Sequence, residues 1–261
     1  MKINKYKKLT IIIASLSIVF GLTGCSNKKN DTNGKDEIVI GYDNTFVPMG
    51  YLDENGETVG FDVDLAKETF KRMNKNIRFQ SIDWSMKEAE LNSGNIDVIW
   101  NGYTLTKERK EKVAYTDPYL ENKQVIVTLK KSNINNKSDL KGKSVGTQAN
   151  SSGMEAMLKD NEFVKNLKNK EPVLYDTYDK AFMDLEIGRI DALVVDESLA
   201  KYYISKNKDN IYNILNENFG DEEFVVATKK ENTKLRDEIN STLKEIKSDG
   251  TFDEIYNKWF E

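Results

Sequence analysis

Short apolar runs alternate along this chain with segments whose apolar residues recur at helical spacing, and that alternation constrains the fold more than any other feature. Runs at 37–42, 77–82, 96–100 and 124–129 read as strands. Between them Phe61, Leu65, Ala66, Thr69, Phe70 and Met73 fall on one face, which predicts a helix over 61–73, and a shorter helix is expected over 86–91. A second series brings a strand at 143–147, a helix near 152–158, a strand at 173–175, a helix at 181–187 and a strand at 192–195. Parallel strands need long crossovers, which helices supply, so the pattern predicts an α/β chain of parallel sheets covered by helices on both faces.

The two series share a phrase. Gly94-Asn95-Ile96-Asp97-Val98-Ile99 returns as Gly188-Arg189-Ile190-Asp191-Ala192-Leu193, each time at a helix end, a turn and a strand, as two lobes of similar design would require. Asp97 and Asp191 read as turn or capping residues at strand entry, with no chemical role. The chain ends in an amphipathic helix over 233–248 and a last helix over 252–260. Phe252, Ile255, Tyr256, Trp259 and Phe260 form a stripe there that should pack against a lobe.

With no His and one Cys among 261 residues, the sequence excludes His-dependent nucleophile relays, imidazole metal sites, thiolate clusters and an internal disulfide. No cofactor or metal is expected. A formal charge of -4 argues against a nucleic-acid partner.

Lys2, Lys5, Lys7 and Lys8 precede an apolar run over 9–20, followed by Leu22-Thr23-Gly24-Cys25. Residues 1–24 read as a secretory signal peptide, since the apolar run falls well short of the roughly 20 residues a membrane-spanning helix needs. Leu-Thr-Gly-Cys resembles the bacterial lipobox, in which the Cys becomes the lipidated first residue of the mature chain. Cys25 would then anchor the protein to the outer face of the bacterial cell membrane, through a polar tether over 25–36. A plain signal peptide with a chance Cys is the alternative.

In open parallel sheets ligands sit beyond the carboxyl ends of the strands. Those ends carry Asp43-Asn44-Thr45-Phe46-Val47-Pro48, Trp100-Asn101-Gly102-Tyr103-Thr104, Gln148-Ala149-Asn150-Ser151-Ser152 and Asp196-Glu197-Ser198. They offer hydrogen-bonding groups without metal-ligand spacing or a nucleophile elbow, which suits capture of a small zwitterion better than turnover.

Three stretches, Gly41 through Pro48, Gly60-Phe61-Asp62-Val63-Asp64-Leu65-Ala66, and Gly102-Tyr103-Thr104-Leu105-Thr106-Lys107-Glu108-Arg109 with Thr116-Asp117-Pro118-Tyr119 behind it, resemble the solute-binding proteins of polar amino-acid ABC importers, the bacterial extracellular solute-binding proteins of family 3. The ending from Asp249 to Phe260 is similar too, so the resemblance runs in order through 37–261. It implies a two-lobed, type II periplasmic-binding-protein-like fold that closes on one L-amino acid and delivers it to a permease and its ATPase.

Carried over residue by residue, the resemblance gives Arg109 the ligand's α-carboxylate, helped by Ser151 and Ser152 at a helix start. A guanidinium fork meets a carboxylate with two charge-assisted bonds, and this chain has only five Arg among its 39 basic residues. An exposed pair with Glu108 or Glu111 is the other reading of Arg109. Asp196 corresponds to the acid that takes the α-ammonium, with Thr104 and the Gly102 carbonyl. Asp196 could instead N-cap a helix over 198–204, and Ser152 with Glu155 fits a capping box. Asn150 stands where the family usually has Gly, a change that left-handed backbone tolerates.

Selectivity is expected from Asp43, Phe46, Trp84, Asn101 and Tyr103, with Trp100 facing the lobe interior. Asp43 would reach the distal end of the ligand side chain, favouring long polar or cationic ligands and cystine, or would cap its own Asn44-Thr45 turn. Ser85-Met86-Lys87-Glu88 departs from the Pro and second Asp that often follow Trp in the family.

The expected organisation is a discontinuous first lobe over 37–123 plus 229–261, a second lobe over 128–223, and a hinge of two crossing strands at 124–127 and 224–228. The protein should be a monomer that binds rather than catalyses. A carboxylate-dependent dehydratase-like enzyme on the same fold and a ligand-sensing receptor module are the alternatives, disfavoured because no catalytic acid pair stands apart from the binding set and only Glu261 follows Phe260.

Overall fold

The structure, a computed structural model, describes residues 37–261; the expected signal peptide, Cys25 and the expected tether lie outside the described residues. The chain opens with β1 (Glu37–Tyr42), then a small antiparallel sheet of β2 (Thr45–Phe46), β3 (Gly50–Leu52) and β4 (Thr58–Val59). Helix α1 (Phe61–Arg72), β5 (Asn76–Ser81), α2 (Lys87–Ser93), β6 (Val98–Ile99), α3 (Lys107–Lys112) and β7 (Val113–Tyr115) follow. The second lobe runs through β8 (Leu120–Leu129), β9 (Val145–Gln148), α4 (Ser152–Lys159), α5 (Asn161–Asn166), β10 (Val173–Tyr175), α6 (Tyr178–Glu186), β11 (Ala192–Asp196), α7 (Glu197–Lys206) and β12 (Tyr212–Phe224). The chain then returns as β13 (Ala227–Lys229), α8 (Thr233–Ser248) and α9 (Thr251–Phe260).

Each lobe carries one five-stranded sheet, ordered β5-β1-β6-β13-β7 and β10-β9-β11-β8-β12. In both, three parallel strands adjoin an antiparallel strand that arrives from the other lobe: β13 against β6, and β8 against β11. The repeated phrase has the same job twice. Asp97 Oδ2 accepts from the Val39 N–H at 3.0 Å and Asp191 Oδ2 from the Ser144 N–H at 2.9 Å, each carboxylate tying a strand entry to the neighbouring strand. Gly94 and Gly188 precede them with φ of 84° and 75°, the left-handed turn that glycine takes without a Cβ penalty.

Burial follows the sequence pattern where that pattern was strong. Phe61, Leu65, Ala66 and Phe70 of α1 are fully buried. The stripe on α9 meets them, with Phe252, Tyr256 and Phe260 ring centroids 5.7, 6.2 and 5.2 Å from that of Phe61. Trp100 is buried against Phe70 and Tyr119, inside the first lobe as expected.

The crossing lies elsewhere than expected. Residues 124–127 are not crossing strands: Gln124, Val125, Ile126 and Val127 pair with Asp196, Val195, Val194 and Leu193 within the second sheet. The chain crosses before β8 begins, where the Thr116 N–H donates to the Val226 carbonyl and the Tyr119 N–H to the Phe224 carbonyl, both at 3.0 Å. On the return strand Ala227 and Thr228 already belong to the first sheet, so the crossing there is confined to 224–226. Only the apolar part of β8 is visible in the sequence. Polar Glu121, Asn122 and Lys123 extend the strand because β12 supplies ladder partners, whatever their hydropathy.

Candidate functional site

Both lobes present their strand ends to each other. In the first lobe Asp43 follows β1 and is 4 % exposed. Its Oδ1 accepts from the Thr45 N–H at 2.9 Å and the Thr45 hydroxyl at 2.7 Å, so it does cap its own turn. Its Oδ2 accepts from Gln148 Nε2 of the second lobe at 2.7 Å. Burial raises the pKa of its carboxyl, and the Thr45 and Gln148 donors oppose that. Asn101 is engaged with backbone: its Oδ1 accepts from the Asp43 N–H at 3.0 Å, which fixes the loop after β1.

Gly102 has φ 56°, and a Cβ there would meet Phe46 Cε1 at 2.7 Å, so both backbone and space require glycine. Its N–H donates to Asp62 Oδ2 at 2.7 Å, which also accepts from the Tyr119 hydroxyl at 2.9 Å. Burial pushes the pKa of Asp62 up to about 7 against those two donors. Phe46 reaches across to Tyr178, ring centroids 6.0 Å apart. Trp84 lies 6.2 Å from Tyr103.

Arg109 is buried in the first turn of α3, so the exposed pairing with Glu108 or Glu111 does not occur; Glu108 pairs with Lys112. Its guanidinium carbon lies 4.8 Å from the Tyr103 ring centroid. Tyr103 is itself fully buried with its hydroxyl on Glu88 at 3.1 Å, so it supports Arg109 from behind rather than forming a wall of the cleft. Nη1 donates to the Thr104 carbonyl at 3.0 Å and Nη2 to the Asn150 carbonyl of the other lobe at 3.1 Å. Asn150 has φ 54°, the left-handed conformation at the position where Gly is usual. Lys87 is 2 % exposed and donates to the same carbonyl at 2.9 Å. Burial, helped by the nearby Arg109 charge, brings its pKa down to about 8.

Ser151, not Ser152, caps α4: its Oγ accepts from the Met154 N–H at 3.1 Å, and its hydroxyl donates to the Gln148 carbonyl at 2.7 Å. The Ser152-Glu155 capping box is therefore absent, and the Ser152 hydroxyl turns into the cleft, donating to Thr104 Oγ1 at 3.1 Å. Asp196 stands at the N-cap position of α7, yet its side chain makes no capping bond. It is 3 % exposed and its Oδ1 accepts from Asn122 Nδ2 at 2.8 Å and Gln124 Nε2 at 3.0 Å. Burial, and after it the neighbouring Glu222 carboxylate, hold its pKa well above the usual carboxylate range.

These contacts form one line from cation to anion. Arg109 donates to the Thr104 carbonyl, the Thr104 and Ser152 hydroxyls meet, Gln124 Nε2 donates to Ser152 Oγ at 3.2 Å, and the same nitrogen serves Asp196. Sequence reasoning missed Gln124, Asn122, Gln148 and Glu222, whose polar side chains carry no periodic signal. Lys87 sat in the stretch that departs from the resembled family, and that departure was its signal. Among the described residues no group of three or more Asp, Glu, Cys or His could hold a metal ion.

Two α/β lobes facing each other are what the sequence resemblance implies, and comparison with known proteins agrees with that fold. Residues 38–261 match the family described as bacterial extracellular solute-binding proteins, family 3. The chain belongs to that family. Among solute-binding proteins related to it, the ABC transporter glutamine-binding protein GlnH of Bacillus subtilis is 31 % identical, over 98 % of this chain and 97 % of the relative. The ABC transporter arginine-binding protein 1 of Escherichia coli is 29 % identical, over 97 % and 99 %. The crystal structure of an ABC uptake transporter substrate-binding protein from Streptococcus pneumoniae with bound histidine superposes with a TM-score of 0.84 at 43 % identity, over 86 % of this chain and 92 % of that one. Like a family 3 solute-binding protein, this chain pairs two α/β lobes, and no described helix is long and apolar enough to cross a membrane.

Proposed function

We propose that this protein is the substrate-binding component of an ABC importer and captures a polar L-amino acid between its lobes for delivery to a membrane permease. The observation that carries the reading is the buried line from Arg109 through Thr104, Ser152 and Gln124 to Asp196. A zwitterion carries both charges on one α-carbon, and the line offers a guanidinium at one end and a carboxylate at the other, contributed by different lobes. The ligand carboxylate takes Arg109 Nη2 from the Asn150 carbonyl and the hydroxyl of Ser152, with the N–H groups of 151 and 152 at the start of α4 behind it. The ammonium goes to Asp196, Thr104 Oγ1 and the Gly102 carbonyl.

Phe46 and Trp84 cover the side chain, and Asp43 meets a cation or polar group at its end in place of Gln148. Arginine, histidine and glutamine, named in the relatives above, are ligands of that kind. Lipidation at Cys25 holds the exported protein at the outer face of the cell membrane.

A thermal-shift panel of the twenty amino acids with cystine and ornithine tests this. One polar or cationic amino acid should raise the melting temperature through mass action and shrink the radius of gyration in solution scattering. No shift with any of them, or recovery of a chemically altered ligand, would reject the reading.

A further inference from the structure

Glu222 lies on β12, just before the chain crosses back to the first lobe, and nothing in the expected ligand set includes it. Its Oε1 accepts from Asn122 Nδ2 at 2.7 Å and Gln124 Nε2 at 2.7 Å. Those are the two nitrogens that serve Asp196 Oδ1. Two carboxylates, at the end of β11 and on β12, thus share both of their side-chain amide donors, which stand on β8 between those strands. The Ser152 hydroxyl approaches Glu222 as well, at 3.5 Å.

Such a pair is costly as it stands. Neutral amides reduce but do not cancel the repulsion between the buried Asp196 carboxylate and the partly buried Glu222 carboxylate beside it, and among the described residues neither acid has an ion pair. Lys123, the cation next along β8, goes to Glu197 at 3.9 Å. Two further polar groups nearby lack partners: Gln124 Oε1 and the Tyr178 hydroxyl, on side chains each 1 % exposed. Both converge beside Gly153, where a Cβ would meet them at 2.7 and 3.3 Å, next to Ser152. A small cation with several N–H donors would complete this corner. Access exists from the Glu222 side, which lines a cavity of about 1100 Å³ together with Thr104, Asn122, Gln124 and Ser152.

We propose that Glu222 is a second acid of the ammonium subsite, so that the ligand's α-ammonium is held between Asp196 and Glu222 rather than by Asp196 alone. This rests on the amino-acid-binding reading above and narrows it. With two acids at the ammonium end, the site discriminates sharply against molecules that keep the carboxylate and side chain but lack the α-amino group, because the two carboxylates would then stay side by side with no cation between them.

Isothermal titration calorimetry on wild type, Glu222→Gln and Asp196→Asn tests it. The probes are L-histidine, L-arginine and L-glutamine, each beside its analogue without the α-amino group, which for arginine is 5-guanidinopentanoic acid. Glu222→Gln keeps the acceptor for the two amides. It should weaken whichever of these amino acids the wild type binds by tenfold or more, while affinity for that amino acid's desamino analogue stays level or improves. Equal weakening towards both the bound amino acid and its desamino analogue would make Glu222 a structural residue of the crossing and overturn the proposal. Unchanged amino-acid affinity in Glu222→Gln, with loss in Asp196→Asn, overturns the two-acid subsite but leaves the binding reading intact. A wild type that binds none of the panel amino acids removes the reading and the proposal together, whereas an Asp196→Asn that binds as well as wild type overturns the ammonium subsite and leaves amino-acid capture intact.

Discussion

Asp43 and Gln148 meet across the lobes, Gln148 Nε2 donating to Asp43 Oδ2 at 2.7 Å. The same carboxylate holds the turn at Thr45 through its other oxygen. One side chain therefore links the loop after β1 to the end of β9, and its second oxygen is the one a ligand cation can claim by displacing Gln148.

Asp43→Asn separates the two jobs. The amide oxygen keeps the Thr45 bonds, so stability should fall by only about 1 kcal/mol. Affinity for L-arginine should drop well beyond that for L-glutamine in calorimetry. Equal small losses for both ligands would confine Asp43 to its turn.

Arg109→Lys keeps the charge and loses the fork. Nη1 and Nη2 now reach the Thr104 and Asn150 carbonyls in different directions, which one ammonium cannot copy. We expect amino-acid affinity to fall by roughly 2–5 kcal/mol, since a buried ligand carboxylate is left poorly paired. Near wild-type affinity would reduce Arg109 to an interlobe tie.

Asp62 makes a pH-dependent contribution. Its pKa is raised from 3.8 unfolded to about 7 folded, so between those values the folded chain holds a proton that the unfolded chain has released. Stability from this group is full below about pH 4 and is lost as pH rises towards 7, by at most about 1.4 kcal/mol per pH unit. Asp62→Asn keeps an acceptor for Gly102 and Tyr119 and should remove that slope. Urea unfolding at pH 5 and pH 7.5 should show the wild-type-minus-variant difference shrinking as pH rises, and a difference independent of pH would contradict the assignment.

Cys25→Ser tests the anchor. The variant should move from the membrane fraction to the medium with unchanged ligand affinity, because residues 25–36 precede the folded lobes. A wild type recovered entirely in the soluble fraction would rule out lipidation.

The sequence by itself determined the elements whose signal is local. Alternating apolar runs and helical stripes gave the strands and helices of both lobes, and the phrase around Asp97 and Asp191 gave their shared design. Stretches such as Gly102 through Arg109 gave the family. What each polar side chain does was decided by tertiary structure, since its partner stands far off in the chain: Asp43 and Gln148 are 105 residues apart, and Asn122 and Glu222 are 100. Hence Asn101 and Tyr103 serve as supports, Lys87 reaches the Asn150 carbonyl of the other lobe, and Glu222 shares the amides of Asn122 and Gln124. The crossing point escaped for the same reason. Strand ends are set by ladder partners, and β12 supplies them to polar residues of β8 that hydropathy leaves in a loop.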